Sequence, residues 1–181
     1  MKVSKIFIYT DASFSLAGAF GVYGFVIFNS VATHEKGLAM EPGIRTHFFK
    51  EANNIRAEIF GAIHGLKIFI EESRKDKLNL NGIEINLYSD CQTLTNLLGR
   101  RDKLTSTNYI SASKKTTLAN ADLYKIFYSI YDELKPKLHW VKGHSKKENQ
   151  SIIQKNFQMV DRQVRKELRT LVKKNQPTSV L

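Results

Sequence analysis

The run Lys5 to Thr10, KIFIYT, is almost entirely apolar or β-forming and shows no polar alternation. Such a run suits a central strand buried on both faces, and Asp11 stands just past its apolar part. The next segment, GAFGVYGFVIF, sets Gly18, Gly21 and Gly24 among aromatic and β-branched residues, as a hairpin strand would. A third strand is expected between His34 and Phe49, broken around Pro42 and Gly43.

Beyond these strands the period changes. Ile55, Ile59, Ala62, Leu66 and Phe69 or Ile70 recur at helical spacing, which predicts an amphipathic helix from Ile55 to Ser73. Asn81 and Gly82 mark a turn. Ile83, Ile85 and Leu87 then alternate with polar residues as a strand, Asp90 follows, and a short helical pattern surrounds Leu94, Leu97 and Leu98. RRDKLTSTNYISASKKTT reads as an exposed, basic insertion between helices, spanning about Gly99 to Ala119. A helix is expected from Ala121 to Leu134, ended by Pro136, with LHWV as the last strand and a final helix after a loop. The sum is an α/β chain: a mixed sheet covered by helices, in one domain over residues 1–172, with 173–181 as a flexible tail.

Composition narrows the partners. Twenty-eight Lys and Arg against 17 Asp and Glu give a formal charge of +11, which favours a polyanion and makes nucleic acid the first candidate. No run approaches about 20 consecutive apolar residues, so no membrane span is expected. MKVSKIFIYTDAS reads as a first strand and not a signal peptide. Cys91 is the single cysteine, which fits a reducing, cytoplasmic setting and a structural thiol.

Four acids stand where chemistry could use them. On the last helix Phe157, Val160, Val164, Leu168 and Leu171 form one stripe; at about 100° per residue, Asp161 falls only about 40° from Phe157, and a core-facing charge needs an ion partner or a metal. Glu58 flanks the stripe of the first long helix. Asp11 and Asp90 each follow an apolar strand, where ligands bind in open α/β sheets, although Asp90 could instead cap a helix and Asp11 hold a turn. Four carboxylates brought together would repel one another unless divalent cations joined them, and a Mg²⁺ pair on carboxylate oxygen suits phosphodiester displacement.

The motifs TDAS (Thr10 to Ser13), NNIRAE (Asn53 to Glu58), SDCQ (Ser89 to Gln92), HWVKGHS (His139 to Ser145) and VDRQV (Val160 to Val164) occur in that order. Together they resemble the type 1 ribonuclease H family, from Ile6 to about Leu171. The resemblance implies a ribonuclease H-like fold, with a five-stranded mixed sheet of three antiparallel N-terminal strands plus two parallel ones. It also implies hydrolysis of the RNA strand of RNA/DNA hybrids with two Mg²⁺ ions, Mn²⁺ being a substitute, by a monomer. By the same carry-over, Asp11, Glu58, Asp90 and Asp161 bind metal and His144 assists proton transfer or product departure. Ser13, Asn54 and Gln92 stand where the 2′-OH is read, and Asn53 where a threonine is common in a phosphate pocket. Arg56 is a candidate phosphate contact. Arg100, Arg101, Lys103, Lys114 and Lys115 lie where some members carry a basic protrusion, though without its tryptophans. The stretch from His144 to Asp161 is longer than is usual in the family, and no N-terminal hybrid-binding domain is expected. The rival readings are an integrase- or transposase-like polynucleotidyl transferase of the same fold and a non-catalytic nucleic-acid-binding module.

Overall fold

A computed structural model describes residues 4–16, 20–36, 43–50, 53–143 and 150–175. The KIFIYT run extends into β1 (Ser4–Ser15), which is followed by β2 (Phe20–Phe28), α1 (Val31–Lys36), β3 (Arg45–Phe49), α2 (Asn54–Lys75) and β4 (Ile83–Ser89). The second half holds α3 (Gln92–Thr95), a 3₁₀ turn at Leu98–Arg100, α4 (Arg101–Ser106), α5 (Ala121–Leu134), β5 (Lys137–Trp140) and α6 (Ile152–Asn175). The strands form one sheet in the order β3-β2-β1-β4-β5. β1–β2 and β2–β3 are antiparallel, and β1–β4 and β4–β5 parallel, as expected.

β1 is central because alternate residues serve two cores. Ile6 and Ile8 pack with Ile59, Leu66 and Phe127 beneath α2 and α5, while Phe7 and Tyr9 pack with Phe157, Val160 and Val164 of α6. The period of two therefore explains why the run has no polar break.

Three expectations need correction. His34 lies in α1 and not in a strand: its ring is buried against Phe7, and its Nε2 lies 2.6 Å from the Tyr9 hydroxyl. Only Arg45–Phe49 forms β3, and Pro42 falls outside the described residues. Ile55 is 41% exposed, and the buried stripe of α2 begins with Ala57, Glu58 and Ile59. The insertion from Gly99 to Ala119 is not simply a solvated loop, because Leu104 of α4 and Tyr109 are buried in the α2/α5 core and Ile110 bridges Thr117.

α6 starts earlier than its apolar stripe suggested. Ser151 and Gln154 make a reciprocal cap, with Ser151 N–H donating to Gln154 Oε1 (3.0 Å) and Gln154 N–H to Ser151 Oγ (3.3 Å). Part of the long stretch before Asp161 is therefore helix. α5 ends where Lys135 adopts φ 48°, immediately before Pro136.

Candidate active site

The pairing of β1 with β4 fixes the first two acids. Ser4 faces Ile83 and Tyr9 faces Tyr88, a constant offset of 79 that also relates Asp11 to Asp90 (90 − 11 = 79). β4 ends at Ser89, whereas β1 continues to Ser15, so Asp11 sits inside a strand beside the space its neighbour has vacated. Asp11 therefore holds no turn, which settles that alternative. Asp90 does not occupy the N-cap position of α3, which is Cys91, whose own N–H is held by Ser89 Oγ at 3.0 Å. The Trp140 indole N–H donates to the Asp90 carbonyl (3.0 Å) and ties β5 to this corner.

The other two acids arrive on helices from opposite faces, and a glycine brings each helix close. A Cβ at Gly61 of α2 would collide with Thr10 Oγ1 of β1, and Glu58 lies one turn before that contact. A Cβ at Gly24, the β2 partner of Asp11, would lie 2.7 Å from Val164 Cγ2, and Asp161 lies one turn before Val164. Gly24→Ala is expected to destabilise the fold by about 1–3 kcal/mol through overpacking. Chemical denaturation of Gly24→Ala, Val164→Ala and the double variant should show that the second change relieves the first; strictly additive costs would contradict the close approach.

Asp11, Glu58 and Asp90 each offer a carboxylate oxygen within 4.8 Å of the other two. Asp11 and Glu58 are buried, at 4% and 3% exposure. Burial above all, then the Asp90 and Asp161 charges, raises the Asp11 pKa from 3.8 to about 8, with the Ala12 backbone amide opposing. Glu58 is pushed well up by burial, then by Asp11 and Asp90. Asn54 Nδ2 approaches Glu58 Oε1 at 3.4 Å, but Glu58 Oε2 is buried with no hydrogen-bond partner. Three carboxylates this close, one of them with a buried oxygen that has no hydrogen-bond partner, are a donor set that fits a divalent cation. Asp161 stands at the rim with 17% side-chain exposure, 2.7 Å from Arg165 Nε on its own helix, so its ion partner comes from one turn away and not from another element. Burial first, then Glu58, raises the Cys91 thiol to about 11 and keeps it protonated at neutral pH.

The remaining expected residues divide by their partners. Ser13 continues β1 past Asp11, and Gln92 is exposed at the start of α3, two residues past Asp90. Asn53 is the N-cap of α2, its Oδ1 accepting from Arg56 N–H at 2.7 Å. The Arg56 guanidinium forms a two-pronged ion pair with Asp122 (2.9 and 2.7 Å) and lies over Phe60, linking α2 to α5. Arg101 does the same with Asp132 (2.6 Å each) over Tyr128, and Arg100 lies over Tyr124. Lys103, Lys114 and Lys115 are exposed. His144 falls outside the described residues, although neighbouring Gly143 lies against Asp90, where a Cβ would come 2.8 Å from Oδ2.

Sequence reading missed Arg165, Arg162 and Arg169, which with Lys142 line a cavity beside Asp90 and Asp161. Their spacing of three and four on one helix was the available signal. No described helix is long and apolar enough to cross a membrane.

The profile of the RNase H family matches residues 3–169. No curated protein matches the chain. Among solved structures, the protease–reverse transcriptase of prototype foamy virus is similar at TM-score 0.64 and 13% identity, over 90% of this chain and 20% of that one. This chain thus spans about a fifth of that protein's length. The PFV RNase H domain in solution gives TM-score 0.61 at 13% identity, covering 91% of this chain and 93% of that one. The N-terminal RNase H domain of rv2228c from Mycobacterium tuberculosis, solved as a fusion with maltose-binding protein, gives 0.51 at 15% identity, covering 88% and 98%. At these identities the structural likeness concerns the fold, while the profile spans all four acid-bearing elements from β1 to α6, and on that ground the chain belongs to the RNase H family.

Proposed function

We propose that this chain is a metal-dependent endonuclease that hydrolyses the RNA strand of RNA/DNA hybrids. The observation that carries the reading is the trio of Asp11, Glu58 and Asp90, each with a carboxylate oxygen within 4.8 Å of the other two and with Glu58 buried, on a chain of net charge +11. Asp11, Glu58 and Asp90 would hold a first cation, with Asp161 at the rim completing the set for a second. Two bound Mg²⁺ ions, or Mn²⁺ in their place, would supply Lewis acidity and a lowered water pKa to an in-line phosphodiester displacement. The residues themselves position: β1 and the end of β4 set Asp11 and Asp90 in register, and α2 lowers Glu58 toward them from the far face.

Selection of RNA falls to the groups around the acids. Asn54 beside Glu58, Ser13 on β1 and Gln92 on α3 are the proposed readers of the 2′-OH, which separates RNA from DNA. Exposed Lys114 and Lys115 would meet phosphate, and Asn53, Arg56, Arg100 and Arg101 would support that surface through the cap, ion pairs and ring contacts they already make. His144 would assist proton transfer or product departure. All four acids come from one chain, so the site requires no second copy. The test is to incubate the purified chain with Mg²⁺ and strand-labelled substrates: RNA cut in the hybrid, with duplex DNA intact, is the expected result. Strand joining or preference for duplex DNA would replace the ribonuclease with a transferase, and tight binding without cleavage in Mg²⁺ or Mn²⁺ would leave a binding module.

A further inference from the structure

Beyond the acids, α6 carries a second feature. Arg162, Arg165 and Arg169 are spaced three and four residues apart, so they share one helix face. They line a cavity of about 300 Å³ whose opposite wall includes Lys142. The cavity is bordered by Asp90 and Asp161 and so opens beside the acid cluster. Gln154 and Gln158, one helical turn apart, line it too, and the Gln158 side-chain oxygen accepts from Arg162 at 2.9 Å. Phe157 forms part of the floor, but charged and amide side chains make up most of the lining, which suits a charged, hydrogen-bonding ligand.

Four cations around a cavity against two acids committed to a metal site leave a local positive excess. From Arg162 to Arg169 the helix rises about 10 Å, the axial rise of about three nucleotides of one strand. The Gln154 and Gln158 side-chain oxygens are already engaged by Ser151 and Arg162, so the arginines are the groups that carry the subsite. We propose that this cavity is a binding subsite for the RNA strand, in which Arg162 and Arg169 hold backbone phosphates about three nucleotides apart beside the scissile one. Arg165 is anchored to Asp161 at 2.7 Å, which couples the occupied subsite to the rim acid. The proposal rests on the reading of the chain as a hybrid nuclease and adds a strand-specific contact to it.

The decisive measurement is fluorescence anisotropy of a labelled hybrid in Ca²⁺, which occupies carboxylate sites through oxygen ligands, across a salt series. Arg162→Gln with Arg169→Gln is compared with the equal-charge control Lys75→Gln with Lys77→Gln, at the far end of α2. Both arginines are exposed, so the variant should melt as the wild type does. The arginine variant should bind about tenfold more weakly, with the salt slope reduced by about 2, while the control changes less than about twofold. Methylphosphonate linkages placed on the RNA strand around the cleavage site should weaken the wild type by a larger factor than the arginine variant. Unchanged affinity and slope in the arginine variant would overturn the subsite while hybrid cleavage by the wild type kept the nuclease reading. Arginine-dependent binding with no cleavage by the wild type would do the reverse. A loss that follows neutralisation of the DNA strand would overturn the strand assignment.

Discussion

Asp11→Asn is expected to abolish hybrid cleavage, by at least about a thousandfold, the scale on which removing an electrostatic group at a reacting centre acts, while making the metal-free protein more stable. The two effects have one cause. Asp11 is buried beside Glu58 and Asp90 with Asp161 nearby, and its pKa stands at about 8. The folded protein therefore carries a carboxylate whose ionisation it opposes, a cost tolerated where the group serves a metal. An amide of the same shape removes the charge and with it a ligand. Relief of roughly 2–4 kcal/mol at pH 8 should raise the melting temperature by about 5–10 °C. Differential scanning calorimetry in EDTA checks the gain and a strand-resolved cleavage assay the loss. An inactive variant that melts below the wild type would show that Asp11 is a fold residue and not a strained ligand.

The same strain should appear as an inverted pH profile. An acid whose folded pKa lies above its unfolded value binds more protons in the native state between the two values. Stability is then complete below about pH 4 and falls as pH rises to about 8. Glu58 adds to this in the same direction. His34, His47, His64 and His139, all lowered by burial, oppose it, since neutral buried imidazoles favour the fold as pH rises through 6.5. The carboxylate slope is therefore read as the difference between wild type and Asp11→Asn, in which the histidines cancel. In EDTA the stability gap between them should widen by several kcal/mol, on the order of 1.4 per pKa unit, from pH 4 to pH 8. Saturating Mg²⁺ should stabilise the wild type and shrink the gap. A gap that stays constant across this range would remove the raised pKa from the account.

The fold was legible where periodicity is strict. A non-alternating run makes β1 central, and the spacing in Ala121 to Leu134 defines α5 residue for residue. The acids were legible more as a set than singly. Glu58 looked like an ordinary helix-flank residue because its burial depends on Gly61, whose contact with Thr10 brings α2 down onto β1 and is a property of the packed pair. The constant offset of 79 that aligns Asp11 with Asp90 is a register, which no single strand encodes. Polarity misled at the insertion: Tyr109, with φ 58°, turns inward from a stretch of mostly polar residues. Arg56 and Arg101 gave no sign of their partners, Asp122 and Asp132, because those lie 66 and 31 residues away. The third strand was expected from His34 onward, but Ser30 holds the first turn of α1 through its hydroxyl and carbonyl oxygens.

Because the ligand atoms of Asp11 and Asp90 meet across adjacent parallel strands, a cation shared by them would close a loop of 79 residues of chain. With one cysteine the chain can build no internal disulfide, and an ion held by these acids would make a comparable closure. Such a tie is reversible. The metal-loaded chain should resist proteolysis as a unit, and chelation should expose the β1–β4 seam first, so that supply of the ion would govern how long the folded chain survives as well as how fast the proposed nuclease works.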